Sequence, residues 1–225
     1  MSQTPDLLPA LRVEPRAALS GSVIWLHGLG ADGHDFAPIL EHLPLSELGV
    51  RVVLPHAPSQ PVSINGGFVM PSWYDIRPSD GPNRHDEAGI RVSEGQIKAL
   101  LAHERTAVPA ERIAIVGFSQ GGAMALHCGL RAEERLAGIA ALSTYLLLPE
   151  ATETERSERN AATPIFQGHG THDEVVGPQR GAAARDWLSE RGYPVAWHAY
   201  PMGHEVCLEE IADLGAWFRG IFAPT

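Results

Sequence analysis

Short apolar segments alternate with amphipathic segments along most of this chain. Runs rich in β-branched residues are typical of strands covered on both faces, whereas apolar residues at helical spacing are typical of helices with one buried face. The first pattern predicts strands at 11–13, 22–26, 51–55, 112–116, 137–142, 164–168 and 195–200. The second predicts helices at 35–43, 86–104, 177–192 and 205–222, and a further helix from Ala123 onward.

The helix predicted at 86–104 shows the clearest two-sided pattern. Its inward residues are Ile90, Ile97, Leu100 and Leu101, and its outward residues are Glu87, Glu94 and Lys98. In the helix at 177–192, Trp187 and Leu188 should point inward. Since strands and helices alternate, we expect a single α/β domain over residues 1–225, with a mostly parallel sheet and helices on both faces.

Two segments lack a regular spacing. Residues 56–86 are rich in Pro and Gly, yet they contain aromatic residues, which disordered segments avoid. We therefore expect an ordered apolar flap beside the functional site. Residues 144–163 begin with the apolar part 145–149, which could be cleft wall or core, and continue with a charged part that should face solvent.

Composition and charge narrow the classes of function. The chain has 17 Lys and Arg against 27 Asp and Glu, a net charge of −10, with no basic cluster for nucleic acid or anionic membrane. Asp6 stands where a secretory signal would be basic, and the most apolar stretch, 136–148, is too short to span a bilayer. Cys128 and Cys207 fit free thiols in a reducing compartment, so we expect a cytoplasmic protein.

One segment joins a predicted strand to a predicted helix through a glycine-rich turn. The apolar run 112–116 is followed by Gly-Phe-Ser-Gln-Gly at 117–121. Such a turn holds its central residue in a strained conformation at the tip, and small neighbours let strand and helix pass closely. This is the pattern of a nucleophile elbow, which makes Ser119 the candidate nucleophile. An ordinary turn with an incidental serine also fits these five positions, so catalytic partners must be sought.

Two downstream residues are suited to activate this serine. A serine hydroxyl needs a base, and the base needs an orienting carboxylate. Asp173 follows the strand at 164–168, and His204 follows the strand at 195–200. Because parallel strands end at one edge of the sheet, where open α/β sheets place their sites, both should meet Ser119 there. We expect His204 to act as base and then acid, and Asp173 to orient it.

Neighbouring residues offer competing assignments. Glu174 could orient the histidine, but its side chain, one position along, should point elsewhere. His169 and His172 could hold a metal, yet no H-E-x-x-H or Cys-x-x-Cys pattern accompanies them, so we expect no metal. Cys207 fits a packed thiol, since no base is set beside it by sequence.

The loop at 27–33 is too glycine-rich for regular structure. Glycines permit backbone angles that turn several N–H groups toward one point. We predict that the N–H groups of Leu29 and Gln120 form a two-donor oxyanion hole. His27, at the start of the loop, is interpreted as a hydrogen-bonded structural residue.

We expect three parts of the chain to form the cleft walls: the flap, the segment next to Asp173, and the segment that follows the strand at 137–142. For the aromatic residues of the flap, plain loop packing stays an alternative. The predicted substrate-binding residues are Phe68, Met70, Trp73, Leu146, Leu147 and Val176.

Several motifs together resemble the phospholipase/carboxylesterase family of α/β hydrolases, which includes acyl-protein thioesterases and small bacterial carboxylesterases. The segment 62–76 is more similar to the bacterial branch, whereas the segment 146–158 matches weakly. The matching residues are His27-Gly28-Leu29-Gly30, Asp32-Gly33, Asn65-Gly66-Gly67, Trp73-Tyr74-Asp75, Gly117-Phe118-Ser119-Gln120-Gly121-Gly122, His169-Gly170, Asp173, Val175-Val176 and Gly203-His204.

The resemblance implies an α/β-hydrolase fold, catalytic roles for Ser119, Asp173 and His204, and an oxyanion hole from Leu29 and Gln120. It also implies no cofactor, no metal and frequent homodimers. We expect a serine carboxylesterase that hydrolyses esters of short to medium acyl chains through an acyl-serine intermediate. An acyl-protein thioesterase or a lysophospholipase with the same residues is the alternative, and a non-catalytic ligand-binding relative is a further one.

Overall fold

The computed structural model describes residues 7–79 and 84–223. Within these residues the strands are β1 (Ala10–Val13), β2 (Gly21–Leu26), β3 (Val50–Pro55), β4 (Ser59–Val62), β5 (Phe68–Pro71), β6 (Ile113–Phe118), β7 (Gly138–Leu142), β8 (Ile165–Gly170) and β9 (Val195–Tyr200). The α-helices of the same residues are α1 (Glu87–Glu104), α2 (Gln120–Leu130), α3 (Pro149–Glu155), α4 (Pro178–Glu190) and α5 (Leu208–Ile221).

The main sheet of the described residues has seven strands in the order β1-β3-β2-β6-β7-β8-β9. Strand β1 pairs antiparallel with β3, and every other neighbouring pair is parallel. The predicted mostly parallel sheet is therefore confirmed. Parallel strands bring the ends of β2, β6, β8 and β9 to one edge, which is where the candidate residues follow them.

Two apolar cores cover the two faces of this sheet. Ile115 packs in one core with residues of α1 and α2, such as Ile97 and Met124. Its neighbour Val116 packs in the other core with Phe218 of α5. Successive strand residues point to opposite faces, so fully apolar strands require helices on both sides, as the structure has them.

The flap predicted at 56–86 contains a two-stranded antiparallel hairpin of β4 and β5. The sequence pattern missed it because Pro61 and Pro71 lie in the two strands, where proline normally argues against a strand. A hairpin detached from the main sheet tolerates them, since few ladder hydrogen bonds are required. Gly66 and Gly67 turn the chain with φ of 67° and 80°, which glycine adopts readily.

Two other segments also differ from prediction. The helix expected at 35–43 is a 3-10 helix over Ala37–His42, bounded by Pro38 near its start and Pro44 after its end. The segment predicted to be irregular contains α3, whose first residue is Pro149, a favoured position for proline. Its seven residues are too few to give a clear period.

Glu94 was predicted on the outer face of α1, and this is wrong. It is buried between α1 and α2, where its carboxylate contacts His127 Nε2 at 3.1 Å and Lys98 Nζ at 2.8 Å. The hydrogen bond with His127, reinforced by Lys98, holds the pKa of Glu94 well below its usual range. The error arises because α1 also packs against α2, which the pattern of one helix cannot reveal.

Some predictions fall outside the described residues, namely those at Asp6 and at 80–83 of the flap. Trp187 is half-buried and Leu188 is buried, and both cysteines are unpaired. Among the described residues, no helix has the length and apolar character needed to cross a membrane.

Candidate active site

Ser119 lies between the end of β6 and the start of α2. Its backbone has φ of 54° and ψ of −119°, a conformation that side-chain-bearing residues rarely adopt. Hydrogen bonds over-determine this geometry: the Ser119 N–H donates to Leu142 O at 2.8 Å, and the Ser119 carbonyl accepts from Thr144 Oγ1 at 2.6 Å. The strained turn is thus held by the neighbouring strand β7 and the residues after it.

The two glycines of the elbow are required by close backbone approach. A Cβ on Gly117 would collide with the backbone of Gly121, and a Cβ on Gly121 would collide with the carbonyl oxygens of Leu26 and His27. Helix α2 can therefore pass directly over β6 and the end of β2. This crossing places the serine beside the loop that follows β2.

The structure brings Ser119, His204 and Asp173 together at the edge of the sheet. His204 Nε2 lies 2.8 Å from Ser119 Oγ, and His204 Nδ1 lies 2.7 Å from Asp173 Oδ2. Both distances are hydrogen bonds, so the imidazole is positioned to take the serine proton while the carboxylate fixes its orientation. Glu174, the competing acid, is exposed.

The loop after β8 holds Asp173 in place. Its Oδ1 accepts the backbone N–H groups of Val175 at 2.9 Å and Val176 at 2.8 Å, which leaves Oδ2 for His204. His169 Nε2 lies 2.8 Å from the Val176 carbonyl and so donates to it. Burial lowers the pKa of His169, which keeps this ring neutral and structural. His172 is exposed.

Two backbone N–H groups beside Ser119 lack partners. For Leu29 and Gln120, no hydrogen bond from the backbone N–H to any described residue is present. Gln120 is the first residue of α2, where the N–H groups of a helix are free to bind an anion. The neighbouring Gly30 N–H donates to Pro71 O at 2.9 Å, which ties this loop to the flap.

His27 has a structural environment, as interpreted from sequence. It is buried, and its Nε2 accepts the backbone N–H of Ala57 at 3.0 Å. Burial lowers its pKa, in keeping with a neutral ring that accepts at Nε2. Trp73 covers it, with its indole N–H donating to the His27 carbonyl at 2.9 Å.

Two cavities open at this edge of the sheet. The inner cavity, about 400 Å³, contains Ser119 and His204 in its wall, with Leu29, Phe118 and Tyr145. The outer cavity, about 810 Å³, lies beside α3 and α4. Residues that line both cavities form their common wall, and these are Arg84, Val175 and Arg180.

Two of the six predicted substrate-binding residues line these cavities. Val176 lines the inner cavity and Leu146 the outer one. Trp73 and Leu147 are fully buried, and Phe68 is 69% exposed at the end of the hairpin. Met70 approaches the oxyanion loop at Gly30.

The sequence patterns did not single out Phe118 or Arg180 as cavity residues, and for Tyr145, in the segment 145–149, they left cleft wall and core both open. Phe118 occupies the variable position before the serine, and its ring centroid is 4.8 Å from that of His204. Its position next to Ser119 in the elbow motif could have indicated a place in the cavity wall. No such indication exists in the sequence for Arg180, because it lies on a helix whose orientation depends on packing.

The described residues include one cluster with metal-ligand chemistry, formed by Asp32, His34 and His56, whose ligand atoms lie within 4.8 Å of one another. His56 Nδ1 accepts the backbone N–H of Gly33 at 3.1 Å. Nδ1 is therefore occupied by an N–H group and Nε2 carries the ring proton, so neither nitrogen of His56 offers a free lone pair to a metal in this arrangement. This donor set does not fit a metal ion well.

A sequence profile described as Phospholipase/Carboxylesterase matches residues 11–219. The chain belongs to this family. The match covers almost the whole chain, including the elbow, the acid and the histidine, and the α/β-hydrolase fold expected from the motifs is confirmed.

Two of the similar proteins are named acyl-protein thioesterases. An acyl-protein thioesterase 1 from Neurospora crassa is 45% identical over 214 residues, which cover 90% of this chain and 87% of that protein. The crystal structure of Zea mays acyl-protein thioesterase 2 superposes with a TM-score of 0.84 at 27% sequence identity. The match covers 96% of the present chain and 99% of the maize chain. Arabidopsis thaliana SOBER1 has a TM-score of 0.83 at 32% identity, covering 90% and 99%.

Proposed function

We propose that this chain is a serine hydrolase that cleaves carboxylic esters through an acyl-Ser119 intermediate. One observation carries the proposal: a continuous hydrogen-bond chain links Ser119 Oγ to His204 at 2.8 Å and His204 to Asp173 at 2.7 Å. The serine becomes nucleophilic when His204 accepts its proton. The carboxylate of Asp173 supports this transfer because it stabilises the protonated imidazole. The family to which the chain belongs supports the same chemistry.

The reaction follows from the positions of these groups. Ser119 Oγ attacks the carbonyl carbon of the ester, and its proton moves to His204 Nε2. The carbonyl oxygen, now negative, is held by the N–H groups of Leu29 and Gln120, which is worth roughly 3 kcal/mol per donor. The protonated His204 then gives its proton to the leaving oxygen or sulfur, and the acyl group stays on Ser119.

Water completes the cycle. It attacks the acyl carbon while His204 takes one of its protons, and a second tetrahedral oxyanion forms in the same hole. Collapse of this species releases the carboxylic acid, and the proton returns from His204 to Ser119 Oγ. Each step uses groups of the chain and water. The inner cavity of about 400 Å³ supports an acyl group of short to medium length.

A second candidate function is acyl-protein thioesterase or lysophospholipase activity. The relatives from Neurospora crassa and Zea mays are named acyl-protein thioesterases, which favours the thioester. Oxygen esters and sulfur esters form the same acyl-serine and differ in the leaving atom alone. Turnover of thioester and oxyester at matched acyl length separates the two. A preference for the thioester at every length would make it the main activity.

The test of the proposal is burst kinetics on p-nitrophenyl esters of increasing acyl length. Wild type should release a burst of nitrophenol equal to the enzyme concentration, and Ser119→Ala should abolish it. Ser143→Ala is the matched control, because Ser143 also has positive φ, 47°, at the end of the adjacent strand. It should keep the burst. If folded wild type binds esters but releases no alcohol, the chain is a ligand-binding relative and the proposal fails.

Two further expectations are part of this proposal. The two unpaired thiols support a reducing, cytoplasmic location. A homodimer is expected from the family resemblance, and sedimentation equilibrium of the purified chain tests it. A single species at the 24.2 kDa mass of one chain would contradict the dimer.

A further inference from the structure

We propose that Arg180 forms an anion-binding subsite beside the nucleophile, which selects substrates that carry a negatively charged group away from the bond to be cleaved. The inference rests on the proposed ester hydrolysis and adds the chemical class of substrate. Arg180 lines both the inner cavity, which holds Ser119 and His204, and the larger outer cavity. A substrate that extends from Ser119 into the outer cavity would run along the wall that Arg180 shares with Arg84 and Val175.

The contacts of Arg180 leave its charge without a carboxylate. Its guanidinium carbon lies 3.7 Å from the centroid of the Tyr145 ring, and its Nη2 lies 3.4 Å from His85 Nε2. Among residues 7–79 and 84–223, no acidic oxygen is within ion-pair distance of it. Arg51 pairs with Glu104 and Arg131 pairs with Glu155, whereas Arg112 donates to the backbone carbonyls of Ser20 and Phe222.

Its aromatic neighbours hold the cation without neutralising it. The Tyr145 ring is buried, and the His85 ring stacks on it with centroids 5.0 Å apart. Burial, together with the charges of Arg180 and Arg84, lowers the pKa of His85 to about 4, so this ring is neutral near pH 7 and accepts from Arg180. The two rings hold the guanidinium in place, and its five N–H donors exceed what these rings can accept.

The position of Arg180 in its helix argues against a role in stability. It lies in the first turn of α4, where its backbone N–H donates to Gly177 O at 2.8 Å. The helix dipole is positive there, so a cation is unfavourable and an anion is favoured. The next residue, Gly181, has no room for a Cβ against His169, so this helix end is packed tightly beside the loop of Asp173.

The charges around the subsite define what it can bind. Arg84 lines both cavities as a second cation, and its Nη1 donates to Ser79 O at 3.2 Å. Carboxylates also line the cavities: Asp35 in the inner one, and Asp173, Glu150 and Glu174 in the outer one. Asp173 is engaged by His204, and the other three are exposed, where water screens them. In a chain of net charge −10, Arg180 thus brings a cation to the cavity that contains Ser119.

The charged group could belong to the acyl part or to the leaving part of the substrate, and two substrate pairs distinguish these. The acyl pair is mono-p-nitrophenyl glutarate and p-nitrophenyl pentanoate. The leaving-group pair is 4-butanoyloxybenzoate and phenyl butanoate. For each pair, the ratio of kcat/KM for charged over neutral substrate is measured in wild type, Arg180→Met and Arg180→Lys.

We expect Arg180→Met to lower the ratio of one pair by about tenfold or more, since a hydrogen bond to a charged group is lost. Arg180→Lys should restore part of the ratio, because it keeps the charge and loses the planar fork. Arg185→Gln is the matched control: it removes the same charge from the same helix, where Arg185 contacts Asp186 and Trp197 instead. Its ratios should equal those of wild type.

The pair that responds identifies which part of the substrate carries the charge. Unchanged ratios for both pairs in folded Arg180→Met would overturn the subsite while leaving ester hydrolysis intact. An equal loss in Arg185→Gln would also overturn it, since the effect would then come from overall charge.

A binding measurement keeps the inference independent of turnover. Glutaric acid mono-p-nitroanilide is an amide with the same charged acyl group, and the p-nitroanilide of pentanoic acid is its neutral partner. Calorimetry on Ser119→Ala should show tighter binding of the charged amide, and adding Arg180→Met should remove that preference. The acyl side has no anion subsite if two results coincide. Both amides must bind equally to Ser119→Ala and to the double variant, and the acyl pair of esters must show no preference for the charged substrate. The leaving-group pair then decides alone.

Discussion

The side-chain amide of Gln120 donates its Nε2–H to the carbonyl of Tyr74 at 2.7 Å. Its Oε1 also accepts the backbone N–H of Trp73 at 2.9 Å. The residue after the candidate nucleophile therefore binds the flap through its side chain, while its backbone N–H has no partner among the described residues. The flap and the proposed oxyanion hole are thus linked through one residue, and both should respond when it is changed.

Gln120→Ala should lower the free energy of unfolding by roughly 1–3 kcal/mol, because the buried Trp73 N–H loses its partner and the Tyr74 carbonyl keeps only the Ser72 hydroxyl. Activity should fall too, since the flap also holds the oxyanion loop through Gly30 and Pro71. Urea unfolding and ester kinetics measure both effects. Gln179→Ala, at an exposed glutamine, is the stability control. An unfolding free energy equal to that of wild type would show that these hydrogen bonds do not hold the flap.

Asp173→Asn should lower kcat by about 10⁴-fold with little change in fold. The amide oxygen can still accept the N–H groups of Val175 and Val176, but the amide nitrogen then faces His204 and favours the wrong tautomer. Glu174→Gln removes the neighbouring charge and should leave kcat within a few fold. Equal losses in the two variants would mean that charge near the site, rather than orientation, is what matters.

Gly121→Ala should prevent stable folding or cost more than about 3 kcal/mol, because the new methyl group meets the carbonyl oxygens of Leu26 and His27. Gly95→Ala is the opposite case. Gly95 is exposed within α1, and nothing lies within 4 Å of the place that its methyl group would take, so alanine should stabilise by up to about 1 kcal/mol. Thermal unfolding of both variants checks the pair, and a tolerated Gly121→Ala would contradict the close crossing.

Glu210 makes the stability of the fold depend on pH. It is fully buried in the first turn of α5, and neither carboxylate oxygen has a partner among the described residues. Burial, with a smaller effect of Asp213, raises its pKa from 4.5 to about 8. Above pH 4.5 the unfolded chain releases this proton, whereas the folded chain keeps it until about pH 8. Stability should therefore fall as the pH rises through this window.

Glu210→Gln should remove that fall, because the amide stays neutral. Relative to wild type, the variant should gain roughly 2–5 kcal/mol between pH 5 and pH 9. Urea unfolding at several pH values measures the difference, and Glu209→Gln at the exposed neighbour is the control. If Glu210→Gln and wild type show the same pH dependence, the carboxyl group does not stay protonated in the folded chain.

Most of the fold was predictable from sequence because strands covered on both faces are continuous apolar runs. The strands around Ile115 and Phe166 are of this kind, and both were placed within a few residues. The β4–β5 hairpin was missed because proline in its strands argues against a strand, and α3 was missed because it is too short to show a helical spacing of apolar residues. Glu94 was assigned to the wrong face because its partner, His127, lies on a different helix.

The sequence by itself determined the seven strands of the main sheet, the helices α1, α2, α4 and α5, the elbow and the choice of Ser119, Asp173 and His204 as candidates. These depend on local chemistry: a turn needs glycines, and a nucleophile needs a base and an acid at strand ends. Only the tertiary structure decided that Gln120 anchors the flap and that Arg180 lies over the Tyr145 ring in the wall of the cavity that contains Ser119. Such contacts join residues far apart in the chain, and packing between elements fixes them, which no local pattern specifies.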